Sequence, residues 1–242
     1  MWSSQNANPQ GIGPRLPPAW GFWATAFFGF IAYGVFLLAA WLAYTVVLTV
    51  GGAQAAEVPG RLLGIGGLAG DLAAIAVLWG AIRERRREFP EYLALNWPSR
   101  KELATALTIT AILLFIPSII NESNDVPATW AKPYLSVGSA SGLLVLLISG
   151  CITGPMSEEF VCRGFMFRGW SESPLGPVSA TVLISALWAV THIQYDWEGQ
   201  FYIFLSGLVL GYFRWRSNST WLTVVLHSVM NVCAFLTMGR YV

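Results

Sequence analysis

Hydrophobic residues form long runs along most of the chain, rather than short alternating segments. A run of about 17–25 apolar residues lets a helix cross the hydrocarbon core of a bilayer, and a helix satisfies its own backbone hydrogen bonds there. The pattern therefore predicts an all-α, polytopic transmembrane helix bundle of about seven spans, with a range of six to eight. The predicted spans are residues 20–50, 62–82, 103–120, 141–170, 177–193, 201–213 and 221–238.

Composition supports a membrane protein and excludes other classes. Of the 242 residues, 55% are hydrophobic and only 11% are charged, whereas soluble domains carry about 25% charged residues. The net charge is +1 and no basic stripe is present, so nucleic acid is not expected as a partner. All three cysteines lie in apolar segments without a Cys-x-x-Cys pair, which argues against a disulfide framework or a zinc ribbon.

Basic residues predict the orientation, because Lys and Arg concentrate in cytoplasmic loops. Residues 83–101 hold six of them, while the loops at 121–140 and 194–200 are mainly acidic. We therefore expect an integral protein of the bacterial cytoplasmic (inner) membrane with its N-terminus inside. That orientation leaves only Arg61, Lys132 and Arg240 of the 14 basic residues outside.

Small-residue pairs predict close helix packing. Glycines recur at i, i+4 spacing, which lets two helix backbones approach each other. We expect packing within one bundle rather than a dimer interface. The pairs are Gly60/Gly64, Gly66/Gly70 and Gly207/Gly211.

Ionisable residues inside the spans mark candidate chemistry, since each is costly in lipid. Both histidines of the chain lie in apolar helices. Glu159 and Arg163 are spaced i, i+4 and can pair across one helical turn, whereas Glu158 points about 100° away. The full set is Asp71, Glu158, Glu159, Arg163, His192 and His227.

A second i, i+4 pair combines His227 with Asn231, which presents an imidazole and a carboxamide on one helix face. An oxyanion site needs donors of this kind. At 1.5 Å per residue, Glu158, His227 and His192 lie roughly 18, 13 and 24 Å from the predicted cytoplasmic ends of their helices. The three side chains can therefore share one site, and we expect a cytoplasm-facing cavity to bring water to it.

Three segments resemble one known family in order and spacing. Glu158-Glu159-Phe160-Val161-Cys162-Arg163 resembles the E-E-x-x-x-R motif of the CPBP family, the CAAX proteases and bacteriocin-processing enzymes also called Abi. Trp188-Ala189-Val190-Thr191-His192 resembles its F-x-x-x-H motif, and His227-Ser228-Val229-Met230-Asn231 its H-x-x-x-N motif. The resemblance covers about residues 141–235. Trp188 replaces the usual Phe, which we expect to affect packing rather than chemistry.

The resemblance implies an intramembrane endopeptidase with a catalytic set of Glu158, Glu159, His192, His227 and Asn231. Glu158 with His192 would activate a water, and His227 with Asn231 would stabilise the oxyanion. Glu159 with Arg163 would form a structural ion pair. The chain then divides into a polar, proline-rich cytoplasmic tail (1–19), N-terminal transmembrane helices and loops (20–140) and a CPBP-like catalytic core (141–242).

Alternatives remain open at this point. The two Glu and two His could be zinc ligands, but no His-Glu-x-x-His helix is present, so a glutamic mechanism without metal or other cofactor is favoured. A non-catalytic CPBP-like protein, either an immunity factor or an assembly subunit of a larger membrane complex, is the second hypothesis. A transporter using Asp71 and the Glu pair as a proton relay is the third. The expected partners are the lipid bilayer and a membrane-associated protein or peptide substrate.

Overall fold

A computed structural model of the protein describes residues 20–120, 134 and 136–238. These residues form eight helices and no strand, as the all-α prediction requires. The fifth helix contains two π-helical segments, Ser149–Thr153 and Phe160–Met166. The helices are α1 (Phe22–Ala56), α2 (Pro59–Glu84), α3 (Phe89–Tyr92), α4 (Arg100–Ile120), α5 (Ala140–Ser171), α6 (Gly176–Thr191), α7 (Trp197–Ser217) and α8 (Thr220–Met238).

Each predicted span coincides with one of the long helices. Within the described residues, α1, α2, α5 and α8 are long and apolar enough to cross a membrane, and α6 is a shorter apolar helix of 16 residues. Both α4 and α7 have 21 residues but carry charged side chains in their end turns. The helical membrane bundle is confirmed, and seven remains the predicted number of spans. The predicted tail at 1–19 lies outside the described residues.

Helix α1 exposes most of its apolar surface. Trp23 is 81% exposed, Trp41 60% and Val50 86%, and an apolar face of this length is expected to contact lipid. The other face of α1 packs along α2. The helix axis breaks at Gly52, whose φ of 56° is accessible to glycine without strain.

The glycine pairs pack helices of the same chain together, as predicted. A Cβ added at Gly64 would come within 2.9 Å of the α5 backbone at Leu146, and one at Gly66 within 2.9 Å of a carbonyl oxygen of α1. Similarly, Gly207 of α7 faces Ser185 of α6, at 2.8 Å from an added Cβ. These helices therefore approach through positions that have no side chain.

Hydrogen bonds gather the ends of several helices at one end of the bundle. Trp170, near the end of α5, donates from its indole to the carbonyl of Phe22 at the start of α1. Arg168 donates to the carbonyl of Glu91 in the loop after α2, and Thr220 at the start of α8 donates to the Ala94 carbonyl. We call this the Arg-rich end, since residues 83–101 lie here. The predicted cytoplasmic loops thus meet in space.

The opposite end of the bundle joins the start of α2 to the segment before α5. Gly60 donates its N–H to the carbonyl of Ser136. The ring of Tyr134 lies 6.5 Å from that of Phe235, close to the end of α8. Loops predicted to be extracytoplasmic are therefore also adjacent, although residues 121–133 are outside the described ranges.

Candidate active site

A fully buried ion pair lies at the centre of the bundle. Glu159 Oε1 accepts a hydrogen bond from Arg163 Nη1 at 2.9 Å, and neither side chain is more than 1% exposed. The same oxygen lies 3.0 Å from His227 Nδ1, and His227 is 3% exposed. Since an ionised carboxylate only accepts hydrogen bonds, Nδ1 of His227 carries the proton in this contact. This contact joins the E-E-x-x-x-R motif to the H-x-x-x-N motif.

Glu158 points to a different partner, as its position on the helix predicts. Its Oε2 accepts a hydrogen bond of 2.6 Å from the indole Nε1 of Trp188. The expectation that Trp188 differs from phenylalanine only in packing is therefore wrong, because the phenyl ring has no N–H to donate. The sequence shows the indole in place of the family's usual phenylalanine, but it does not show which residue the indole N–H bonds to.

His192 lies directly after the last residue of α6. Its Nδ1 is 2.8 Å from the carbonyl oxygen of Trp188, one turn earlier. A carbonyl oxygen only accepts, so Nδ1 is the protonated nitrogen and Nε2 of the neutral ring is an acceptor. The half-buried imidazole can therefore take a hydrogen bond or a proton at Nε2.

Asn231 lies one turn after His227 on α8. Its Nδ2 donates to the carbonyl oxygen of Gly150 at 2.8 Å. Gly150 belongs to the first π-helical segment of α5. The carboxamide has a second N–H, which this contact leaves for another acceptor.

Asp71 of α2 forms a cluster with α5 that the sequence alone did not predict. The buried carboxylate accepts hydrogen bonds of 2.6 Å from the hydroxyls of Thr153 and Ser157. Ser157 immediately precedes Glu158, so Asp71 fixes the turn that presents Glu158. Two hydroxyl donors for one carboxylate also explain how Asp71 is accommodated in an apolar helix.

A cavity of about 480 Å³ lies between the N-terminal helices and the motif-bearing helices. Its polar wall contains Glu158, His192, Asn231 and Asp71, together with Ser149. The volume is within the range of small-molecule and peptide pockets. Its apolar wall comes from α1, α2, α5 and α8, with Phe36, Ala40, Trp41, Leu63, Leu146, Ala234 and Phe235 among the lining residues.

The cavity runs from mid-bundle toward the end opposite the Arg-rich end. Tyr44, Leu63 and Phe235 line it near that opposite end, where Gly60 bonds to Ser136. At the inner end of the cavity, Glu158 lies 13 residues before the last residue of α5, Ser171. This places Glu158 roughly 20 Å along the helix from the Arg-rich end. A cytoplasm-facing cavity and a cytoplasmic N-terminus were both expected, but with this geometry one of the two expectations is wrong.

The structure thus brings the predicted site residues together in two layers. Glu158, His192 and Asn231 line the cavity, while Glu159, Arg163 and His227 form the buried layer behind them. Trp188 lies between the layers, with its ring 5.0 Å from His192 and 5.1 Å from His227.

The predicted acidic and imidazole groups do not converge as a metal cage. In the ranges that the structure describes, no three His, Cys, Asp or Glu side chains lie close enough together to hold a metal ion. Glu159 and His227 bond to each other, and Glu158 bonds to Trp188. The choice between a glutamic and a zinc mechanism remains a prediction, with a test given below.

Comparison with known families agrees with the motif geometry. The family model described as "Type II CAAX prenyl endopeptidase Rce1-like" matches residues 140–233. This part of the chain is Rce1-like. The match starts at the first residue of α5 and includes all three motifs. It confirms the resemblance to CPBP-type proteases, and its bounds differ by at most two residues from the predicted 141–235. No curated protein and no solved structure matches the chain significantly.

The similarity of residues 140–233 to Rce1-like proteins and the long apolar helices support an integral membrane protein. The N-terminal helices α1 to α4 precede the matched region. Two of them nevertheless contribute to the site, because Asp71 comes from α2, and α1 and α2 supply part of the apolar wall of the cavity.

Proposed function

We propose that the protein is an intramembrane endopeptidase in which Glu158 activates a water molecule for attack on a peptide carbonyl. The observation that supports this most is the contrast between the two motif glutamates. Glu159 is buried and compensated by Arg163, whereas Glu158 lines the cavity and has one oxygen engaged by Trp188. Of the two motif glutamates, only Glu158 reaches the cavity; Asp71 also lines it, but both of its oxygens accept hydrogen bonds from hydroxyl groups of α5.

The proposed reaction needs a base, an orienting acceptor and an oxyanion donor. Glu158 takes a proton from water as the hydroxide adds to the scissile carbonyl carbon, and returns that proton to the leaving amine as the C–N bond breaks. His192 holds the water through Nε2, since Nδ1 is engaged by a carbonyl. These steps need no metal and no other cofactor.

The developing oxyanion would receive a hydrogen bond from Asn231, which lines the cavity. Asn231 donates the N–H that Gly150 does not use. His227, the second predicted donor, is 3% exposed in the layer behind the cavity. Its Nδ1–H is directed at Glu159, so in this proposal it holds that carboxylate in place.

The substrate is proposed to be a membrane-associated protein or peptide. The family description names CAAX prenyl endopeptidases, and the apolar wall of the cavity suits a lipidated or hydrophobic chain. In the CAAX sequence, the prenylated Cys stands three residues before the carboxyl terminus. A prenylated peptide of this form is the first probe.

The test compares wild-type protein with Glu158→Gln in liposomes, using an internally quenched farnesylated CAAX peptide and its unprenylated counterpart. Glu158→Gln should lose turnover but insert normally, because the change is near-isosteric and removes only the base. Glu84→Gln is the matched control, since Glu84 is exposed at the Arg-rich end, and it should retain wild-type turnover. Near-wild-type turnover by Glu158→Gln would exclude the proposed base.

The same assay addresses the non-catalytic hypothesis. A protein that cleaves neither the farnesylated nor the unprenylated peptide, nor any protein of its host membrane, would act as an immunity factor or as an assembly subunit. A preference for the farnesylated peptide would place the substrate class with that of the matched family.

A further inference from the structure

Trp188 contacts four charged or titratable groups of the three motifs at once. Its indole N–H bonds to Glu158 at 2.6 Å, and its ring lies under the Arg163 guanidinium at 4.6 Å from the centroid. The rings of His192 and His227 meet it at interplanar angles of 78° and 81°. The indole is 7% exposed, so these neighbours hold it in one orientation.

The orientation of the ring decides which oxygen of Glu158 is available. An indole N–H is a donor only, and its bond to Oε2 fixes the carboxylate plane. Oε1 is then the oxygen that can accept a proton from a cavity water.

We propose that Trp188 is a positioning residue for Glu158: its indole N–H holds Oε2 and selects Oε1 as the proton acceptor. This role rests on the proposed function of Glu158. It distinguishes the chain from relatives with Phe at this position, which must orient the glutamate in another way.

The first test measures the hydrogen bond without any substrate. In the full-length protein labelled with ¹⁵N-indole tryptophan, the Trp188 resonance is identified by its loss in Trp188→Phe. A strong bond to a carboxylate should place its indole proton downfield, and Glu158→Gln should move that proton upfield, because an amide oxygen is a weaker acceptor. An unchanged Trp188 resonance in Glu158→Gln would overturn the proposal.

The second test measures cleavage of the quenched farnesylated peptide by Trp188→Phe. We expect kcat to fall about tenfold with KM within twofold of wild type, because the aromatic ring still fills the site. Trp215→Phe, at an exposed tryptophan of α7, is the matched control and should change neither quantity.

Thermal unfolding of Trp188→Phe checks that the fold is retained.

The two tests separate the proposal from the proposed function. If Glu158→Gln is inactive while Trp188→Phe keeps the wild-type kcat, the positioning role is wrong and the protease assignment stands. If Glu158→Gln keeps its turnover, the proposed function fails, whatever the indole resonance shows. If no peptide is cleaved, the indole resonance alone decides whether Trp188 holds the carboxylate.

Discussion

Adjacent glutamates on one helix have opposite surroundings. Glu159 has no exposed surface and lies against a guanidinium and an imidazole, so its charge is balanced locally. Glu158, one residue earlier, meets a neutral indole and a cavity. An ionised group in a low-dielectric interior requires a charged or hydrogen-bonding partner, and the two glutamates meet that requirement differently: Glu159 through an ion pair, and Glu158 through one indole N–H at the edge of the cavity.

Replacing Arg163 by methionine should destabilise the protein strongly. The change leaves Glu159 buried without its guanidinium, and breaking a buried pair in this way costs about 3–5 kcal/mol. Thermal unfolding in detergent should show a large loss of stability. The double variant Arg163→Met/Glu159→Leu should recover much of that loss, since apolar replacement of a whole pair is often neutral. A single variant as stable as wild type would show that the pair contributes little.

Asn231→Ala should lower kcat by about 10²–10³-fold, the usual effect of removing one oxyanion donor. KM should stay almost unchanged, because the hydrogen bond forms mainly in the transition state. Steady-state cleavage of the quenched peptide measures both constants. A rise in KM at constant kcat would instead place Asn231 in substrate binding.

Exhaustive chelation should leave turnover intact if Glu158 acts as the base without metal. Elemental analysis of the active protein should then show no stoichiometric zinc. Loss of activity on chelation, restored by added Zn²⁺, together with about one zinc per chain, would contradict the glutamic mechanism and assign the chemistry to a bound metal.

At the scale of the helices, α5 departs from regular geometry on both sides of the glutamates. π-Helical segments lie before and after the short α-helical stretch Gly154–Glu159. An extra residue in a turn rotates the side chains that follow, and such turns are frequent at functional sites. In the first segment, the Gly150 carbonyl accepts from Asn231.

Packing between α2 and α5 depends on the missing side chain at Gly64. Gly64→Ala should destabilise the protein by about 1–3 kcal/mol, the usual cost of overpacking, because the new methyl group would meet the α5 backbone at 2.9 Å. Gly80→Ala on the same helix is the control, since nothing lies within 4 Å of its added Cβ. Its stability should be unchanged or higher by up to about 1 kcal/mol. Equal thermal unfolding of both variants would contradict the close contact.

At the scale of the whole molecule, the two ends of the bundle differ in charge and in access to the site. The Arg-rich end carries the basic loop at 83–101, whereas the residues that line the cavity extend toward the opposite end. If the basic loop is cytoplasmic, the substrate enters from the extracytoplasmic half of the bilayer. If it is not, the positive-inside prediction fails for this chain.

Cysteine labelling decides between the two orientations. In a background without Cys151, Cys162 and Cys233, a reporter cysteine at Arg86 should react only from the cytoplasmic side. One at Gln54, exposed near the end of α1, should react only from outside. The labelling reagents are charged maleimides. They do not cross the bilayer, so each reports only cysteines on the side of the membrane to which it is added. The reverse pattern would place the N-terminus outside and the cavity mouth in the cytoplasm.

Periodicity, composition and spacing determined much of this protein in advance. Long apolar runs allow only helices in lipid, so the bundle and its helices followed from the chain. The i, i+4 spacing also placed Arg163 beside Glu159, because helical geometry is local. Motif order was sufficient to indicate the family over residues 140–233.

Tertiary structure alone decided the contacts between distant segments. The bond from Trp188 to Glu158 joins residues 30 apart, Asp71 reaches Ser157 across 86 residues, and His227 reaches Glu159 across 68. Such contacts depend on how helices pack and rotate against each other, and side-chain spacing along one helix does not encode that. The direction in which the cavity opens is fixed in the same way, by which helix ends leave space between them.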